Sequence, residues 1–181
     1  MIPITWSLTE PPVDAAIRFT YWAEGGSSNR KGDAGGLTGV GGVTQKAYNG
    51  WRKRRGLTQQ SVLLCTADER RQLAIDEYWN PGHCGELPVR TAIAHFDWCY
   101  NHGEDSSSAM LQTIVGATPD GNIGPKTLAL VRAWDDKELA MAYITARRDW
   151  YIYKADHDQI YGAPNRNGWL NRCDNLIKYL A

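Results

Sequence analysis

Val13, Ala16, Ile17 and Thr20 recur at the spacing of one helix face, and the Pro11-Pro12 pair before them suits a helix start. A first helix is therefore predicted from about 12 to 24, ended by the left-handed conformations open to Gly25 and Gly26. Residues 27 to 43 are turn-rich and poor in β-branched and aromatic residues, which predicts a small irregular β-hairpin rather than long strands. Thr44 can cap a second helix running through about Arg55, and Thr66 with Glu69 forms the T-x-x-E capping box of a third that reaches about Trp79. Val89, Ala92, Ile93, Phe96 and Tyr100 make the apolar stripe of a fourth helix, stopped by Gly103. Ser107 to Val115 reads as helical, TPDGNIGPKT as a turn that leads Pro125 into the next helix, and residues 136 to 154 and 168 to 180 as two more. The predicted class is mainly α, without internal repeats or a long linker.

Composition changes this picture in few places. A chain of 181 residues holds one domain, or one with a small appendage, and buries roughly 70% of its unfolded surface. Lys plus Arg equals Asp plus Glu at 20 each, so no overall field draws the protein to nucleic acid or to an anionic membrane. The first residues carry no basic stretch before an apolar run, and no run of apolar residues is long enough to span a bilayer. That predicts synthesis in the cytoplasm without a signal peptide, and no membrane insertion. Cys65, Cys84, Cys99 and Cys173 are scattered and read as buried or free thiols. His83, His95, His102 and His157 show no i, i+4 pairing, so neither a metal nor any other cofactor is expected. The Asp-Gly-Asn of residues 120 to 122 has the start of a calcium loop but no closing Glu, which favours a tight turn. The run Arg52 to Arg55 is either a solvated helix end or an attractor for anionic polymers. Eight Trp and nine Tyr against two Phe suit packing and also carbohydrate or peptide clefts.

The chemistry concentrates in residues 21 to 44, where eight of the eighteen glycines surround one Glu, one Asp and two Thr. Ile17, Thr20 and Glu24 share a helix face, so the Glu24 carboxyl emerges at the edge of the core. Loss of hydration there favours a neutral carboxyl, which a general acid requires; the plain alternative is a helix-end Glu with its head in water. Asp33 lies beyond a foldable turn, and Gly32, Gly35 and Gly36 let backbone approach a ligand; alternatively Asp33 merely bonds to its own turn. Glycosidic hydrolysis commonly uses one protonated carboxyl and one ionised carboxyl, and Thr38 and Thr44 add hydroxyls able to hold a water. Asp97 and Asn101, one turn apart, either line a cleft floor or form a buried polar pair. Tyr21, Trp22, Trp79 and Trp98 divide between core and a sugar platform.

EGGSSN, GDAGGLTGVGGVT, EYWNP, LPVRTAIAHFDWCYNHG, AMLQ, DGNIGPKTLALV, ARRDWY and NGWLNR occur in that order. Together they resemble the glycoside hydrolase family 108 N-acetylmuramidases of phages and bacteria, followed by a peptidoglycan-binding-like region. The resemblance covers about residues 13 to 180. It implies a lysozyme-like helical fold with a small hairpin after the first helix, and Glu24 as the essential catalytic acid. The E-x8-D-x4-T layout of Glu24, Asp33 and Thr38 is also similar to phage-type lysozymes, where a helix-borne Glu faces an Asp and a Thr across the sugar cleft. Ser27 and Ala34 depart from the family's usual Tyr and Pro.

The resemblance thus implies a catalytic region over residues 1–104 and a helical peptidoglycan-binding-like region over 105–181, packed as one body. It implies an endolysin, reaching the wall after membrane permeabilisation and acting as a monomer on bacterial peptidoglycan. Glu24, Asp33 and Thr38 would be catalytic; Gly25, Gly26, Thr44, Asp97, Trp98 and Asn101 would contact substrate. The alternatives are a lytic transglycosylase on the same bond and a non-catalytic wall-binding protein built on the DGNIGPKT turn.

Overall fold

The computed structural model describes residues 4–26 and 37–181, whose architecture is helical. Helix α1 (Pro12–Glu24) starts on a proline whose missing N–H no partner needs there, and stops at Gly25, where φ is 78°. Helix α2 (Gln45–Arg54) is capped by the Thr44 hydroxyl, which accepts from the Ala47 N–H. Helix α3 (Ala67–Ala74) has the complete Thr66–Glu69 capping box and runs on into one π-helical turn, Ile75–Trp79. Helix α4 (Val89–His102) follows Pro88, and α5 (Glu104–Val115) follows directly after Gly103. Helix α6 (Pro125–Arg132) again begins on proline. Helix α7 (Asp136–His157) is capped by Asp135, and α8 (Gly162–Leu180) runs almost to the end of the chain.

Helix α4 is the axis of the molecule: it packs against α1, α5 and α7, and α7 packs along α8. Its first amides are satisfied from another helix, because the Asp136 carboxylate accepts from the N–H groups of Arg90 and Thr91, both at 2.9 Å. One buried cluster runs through Phe19 of α1, Ile93 and Phe96 of α4, Leu111 of α5, Tyr143 of α7 and Leu176 of α8. The apolar side chains on both sides of residue 105 therefore share a core. A smaller cluster, Val43, Tyr48, Trp51, Val62, Cys65 and Leu73, lies under α2 and α3, beside an ion pair between Arg52 and Glu69.

Two sequence expectations need correction. The small hairpin after α1 is not found among the described residues, where pairing is limited to an isolated antiparallel bridge between Thr38 and Thr44 and a short turn at Val40–Gly42. Residues 27–36 lie outside the described residues. The last helix starts at Gly162, not near 168. Its beginning is disguised by Pro164, which sits in the first turn where no N–H is required. Gly162 is also the residue on which α8 meets α7, since a Cβ there would lie 2.3 Å from the Lys154 carbonyl oxygen.

Candidate active site

Glu24 is the last residue of α1, and its side chain retains 26% of its exposure. Arg172 of α8 donates from Nη1 to Glu24 Oε1 at 2.7 Å. On the other side the chain of residues 41 and 42 closes over the carboxyl. A Cβ on Gly42 would stand 2.8 Å from Glu24 Oε2, and φ there is +79°. Glycine is what this approach demands. The loop is held in place by the Gly41 N–H donating to the Gly25 carbonyl at 3.2 Å and by the Tyr100 hydroxyl donating to the Gly41 carbonyl at 2.8 Å. Oε1 is thus occupied by a guanidinium, while no described residue donates to Oε2. The apolar wall expected against this carboxyl is instead partly ionic.

Arg172 is itself oriented by a buried acid. It grips Asp97 of α4 with two hydrogen bonds, Nη2 to Oδ1 at 2.7 Å and Nε to Oδ2 at 2.9 Å. That planar fork is a geometry lysine cannot reproduce. Asp97 also accepts from Arg147 Nη1 of α7 at 2.6 Å and from the Thr20 hydroxyl of α1 at 2.8 Å. Two carboxylates face two guanidiniums, so each charge in the cluster has a counter-charge. Burial by itself would raise the Asp97 carboxyl, but the Arg172 and Arg147 guanidiniums hold it well below the usual carboxylate range. Four helices, α1, α4, α7 and α8, meet at this point.

The other predicted site residues fall out unevenly. Gly25 and Gly26 form the exposed helix end beside Glu24. Thr38 and Thr44 pair across the isolated bridge, with Thr44 also serving as the α2 cap. Asp97 is fully buried, so it sits in the interior as the anchor of two arginines and not on a cleft floor. Asn101 donates to the Asp97 backbone carbonyl at 2.8 Å within its own helix. Trp98 is also buried, stacked at a tilt on Tyr143 with Arg147 over its ring, and offers no platform to a sugar. Trp79 is likewise in the core. Asp33 lies outside the described residues. Arg172 and Arg147 went unassigned by the sequence reading, although each stands inside a motif it quoted, NGWLNR and ARRDWY.

Away from this cluster, Gln112 of α5 organises the turn before α6. Its Nε2 donates to Asp120 Oδ1 at 2.7 Å and to the Asn122 carbonyl at 3.0 Å, and its Oε1 accepts from the Gly121 N–H at 2.9 Å. A cavity of about 640 Å³ opens beside it, lined by Thr118, Asp120, Asn122, Lys126 and Leu130. Asp120 is spent on the turn, accepting from Asn122 N–H at 2.9 Å.

Residues 17–103 match the family described as Glycosyl hydrolase 108, and residues 106–174 match the one described as Predicted Peptidoglycan domain. Among solved structures, the chain is similar to "Structure of Brucella abortus SagA", with 26% identity and a TM-score of 0.76, covering 93% of this chain and 92% of that one. A comparison with curated proteins gives no match.

Proposed function

We propose that the chain, whose residues 17–103 match the glycosyl hydrolase 108 family and whose residues 106–174 match a peptidoglycan domain, cleaves the β-1,4 bond between N-acetylmuramic acid and N-acetylglucosamine, with Glu24 as general acid. The chain is a glycoside hydrolase acting on peptidoglycan. The observation that carries the finer reading is the clamped Glu24 carboxyl, one oxygen on Arg172 and the other turned to the Gly42 backbone.

In this reading the Arg172-paired carboxylate first takes up a proton on Oε2, which then passes to the oxygen leaving the sugar. As it departs, negative charge returns to Glu24, and Arg172 at 2.7 Å is already oriented to meet it. That contact strengthens along the reaction, which is the condition for it to accelerate the chemistry. Asp33, with Thr38 or Thr44, would place the attacking water on the opposite face of the sugar, giving inversion for carboxyls about 6.5–9.5 Å apart and retention for a gap near 5 Å. The cavity beside the 118–127 turn would hold a further stretch of wall polymer.

Replacing Glu24 by Gln tests the assignment: a folded variant is expected to lose lysis of purified walls, and undiminished lysis would remove Glu24 from the mechanism. Mass analysis of the products separates the alternatives. Hydrolysis at the proposed bond leaves a reducing N-acetylmuramic acid, a lytic transglycosylase leaves an anhydro product lighter by one water, and binding without release of fragments indicates a wall-binding protein.

A further inference from the structure

Cys84, His95 and Cys99 are all fully buried, and their ligand-capable atoms lie within 4.8 Å of one another. His95 and Cys99 are one turn apart on α4, and Cys84 comes from the short turn that follows α3. Buried thiols beside an imidazole also occur as ordinary core packing. The convergence of three ligand atoms and the partner on the far ring nitrogen favour a ligand set.

The Tyr143 hydroxyl has one proton, and it is directed to the Ser107 carbonyl at 2.9 Å. The same oxygen stands 2.8 Å from His95 Nδ1, so the Nδ1–H donates to it. Nε2 lies on the opposite edge of the ring, toward the sulfurs. It stands 3.4 Å from Cys99 Sγ and 3.1 Å from the Gly82 carbonyl oxygen, to which an Nε2–H donates until a metal takes the proton's place. A ring nitrogen, a carbonyl oxygen and two sulfurs converge on one dry spot. An imidazole whose far N–H is held by an oxygen while its other nitrogen faces sulfur is the arrangement of a ligating histidine with its supporting partner. The 3.4 Å separation is also close to the roughly 3.6 Å edge expected between sulfur and nitrogen around a tetrahedral zinc.

We propose that Cys84, His95, Cys99 and the Gly82 carbonyl form a structural zinc site that staples the 80–86 turn to α4. Sulfur ligands exclude magnesium and calcium. Two thiolates cancel the charge of a divalent ion and leave the buried site neutral, whereas monovalent copper would leave it negative. On binding, each thiol releases its proton to solvent and forms a sulfur–metal bond, with no change of oxidation state. Gly82 is small for a reason: a Cβ there would come within 2.9 Å of Cys99 Sγ and 3.2 Å of Cys84 Sγ. The staple would steady α4, which carries Asp97.

The test uses the full chain, expressed with zinc, purified with reductant and desalted. Elemental analysis is expected to give about one zinc per chain, and cobalt exchanged for it should show thiolate-to-cobalt charge-transfer absorption. Cys99→Ser should cut retained zinc about tenfold or more, while Cys65→Ser, at a buried thiol outside the cluster, should leave it unchanged. If Cys99→Ser does not fold, the cobalt spectrum of the unaltered chain decides. A folded, reduced chain that takes up neither zinc nor cobalt overturns the site, as does a Cys84–Cys99 disulfide in protein kept under reductant.

Discussion

Arg172 Nη1 lies 2.7 Å from Glu24 Oε1, although 148 residues separate the two in the chain. The guanidinium comes from the region matching the peptidoglycan domain, and the carboxyl from the region matching the glycosyl hydrolase. The candidate acid is therefore oriented by a side chain that the hydrolase region alone does not contain.

Arg172→Lys keeps the charge but loses the fork that grips Asp97 and reaches Glu24 together. The expected result is a fall in kcat of about 10²-fold with little change in KM, from misplacement of the acid. Steady-state kinetics on soluble wall fragments measure it; a change confined to KM would make Arg172 a binding residue instead.

A chain ending at residue 104 would expose the faces of α1 and α4 that pack on α7 and α8. It is expected to give no cooperative unfolding transition and no lysis. A stable, active fragment would show that the two regions are independent folding units.

Asp97→Ala leaves Arg147 and Arg172 buried without their counter-charge. The expected loss is about 3–5 kcal/mol of stability, read from urea denaturation. A loss under about 1 kcal/mol would mean that the arginines find water instead.

Gly42→Ala places a methyl against Glu24 Oε2, while Gly116→Ala carries the same backbone strain, φ +77°, with no atom of the described residues within 4 Å. Both should lose about 1–2 kcal/mol of stability from the left-handed backbone. Only Gly42→Ala should lose lysis as well, and equal activity in the two variants would argue against a closed approach over Glu24.

Burial, together with Arg147 and Arg172, lowers the His102 imidazole to about 4. The unfolded chain takes up that proton near pH 6.5 and the folded chain only near 4, so this group leaves stability intact above about 6.5 and erodes it as pH falls between the two. Among the described residues His102 Nδ1 has no hydrogen-bond partner, consistent with a neutral ring in an aromatic nest of Trp98, Trp150 and Tyr151. His102→Phe should flatten the decline in urea midpoint between pH 7 and pH 4. The depressed Asp97 adds its own loss only below about pH 4.

The amino-acid sequence by itself determined the helices. Pro12, Thr44, the Thr66–Glu69 box and Pro125 each start one, and Gly25, Gly103 and Gly116 end others, because caps and stripes are relations between residues a few positions apart. It also placed Glu24 at a helix end. The tertiary structure alone decided that Arg172 reaches Glu24, that Asp97 and Trp98 are interior, and that Cys84 meets His95 and Cys99. His95 and Cys99 stand four residues apart in the chain, but Cys84 joins them only through the fold. These meetings join side chains from different helices, and helix placement is set by the packing of whole faces, which spacing along the chain does not encode.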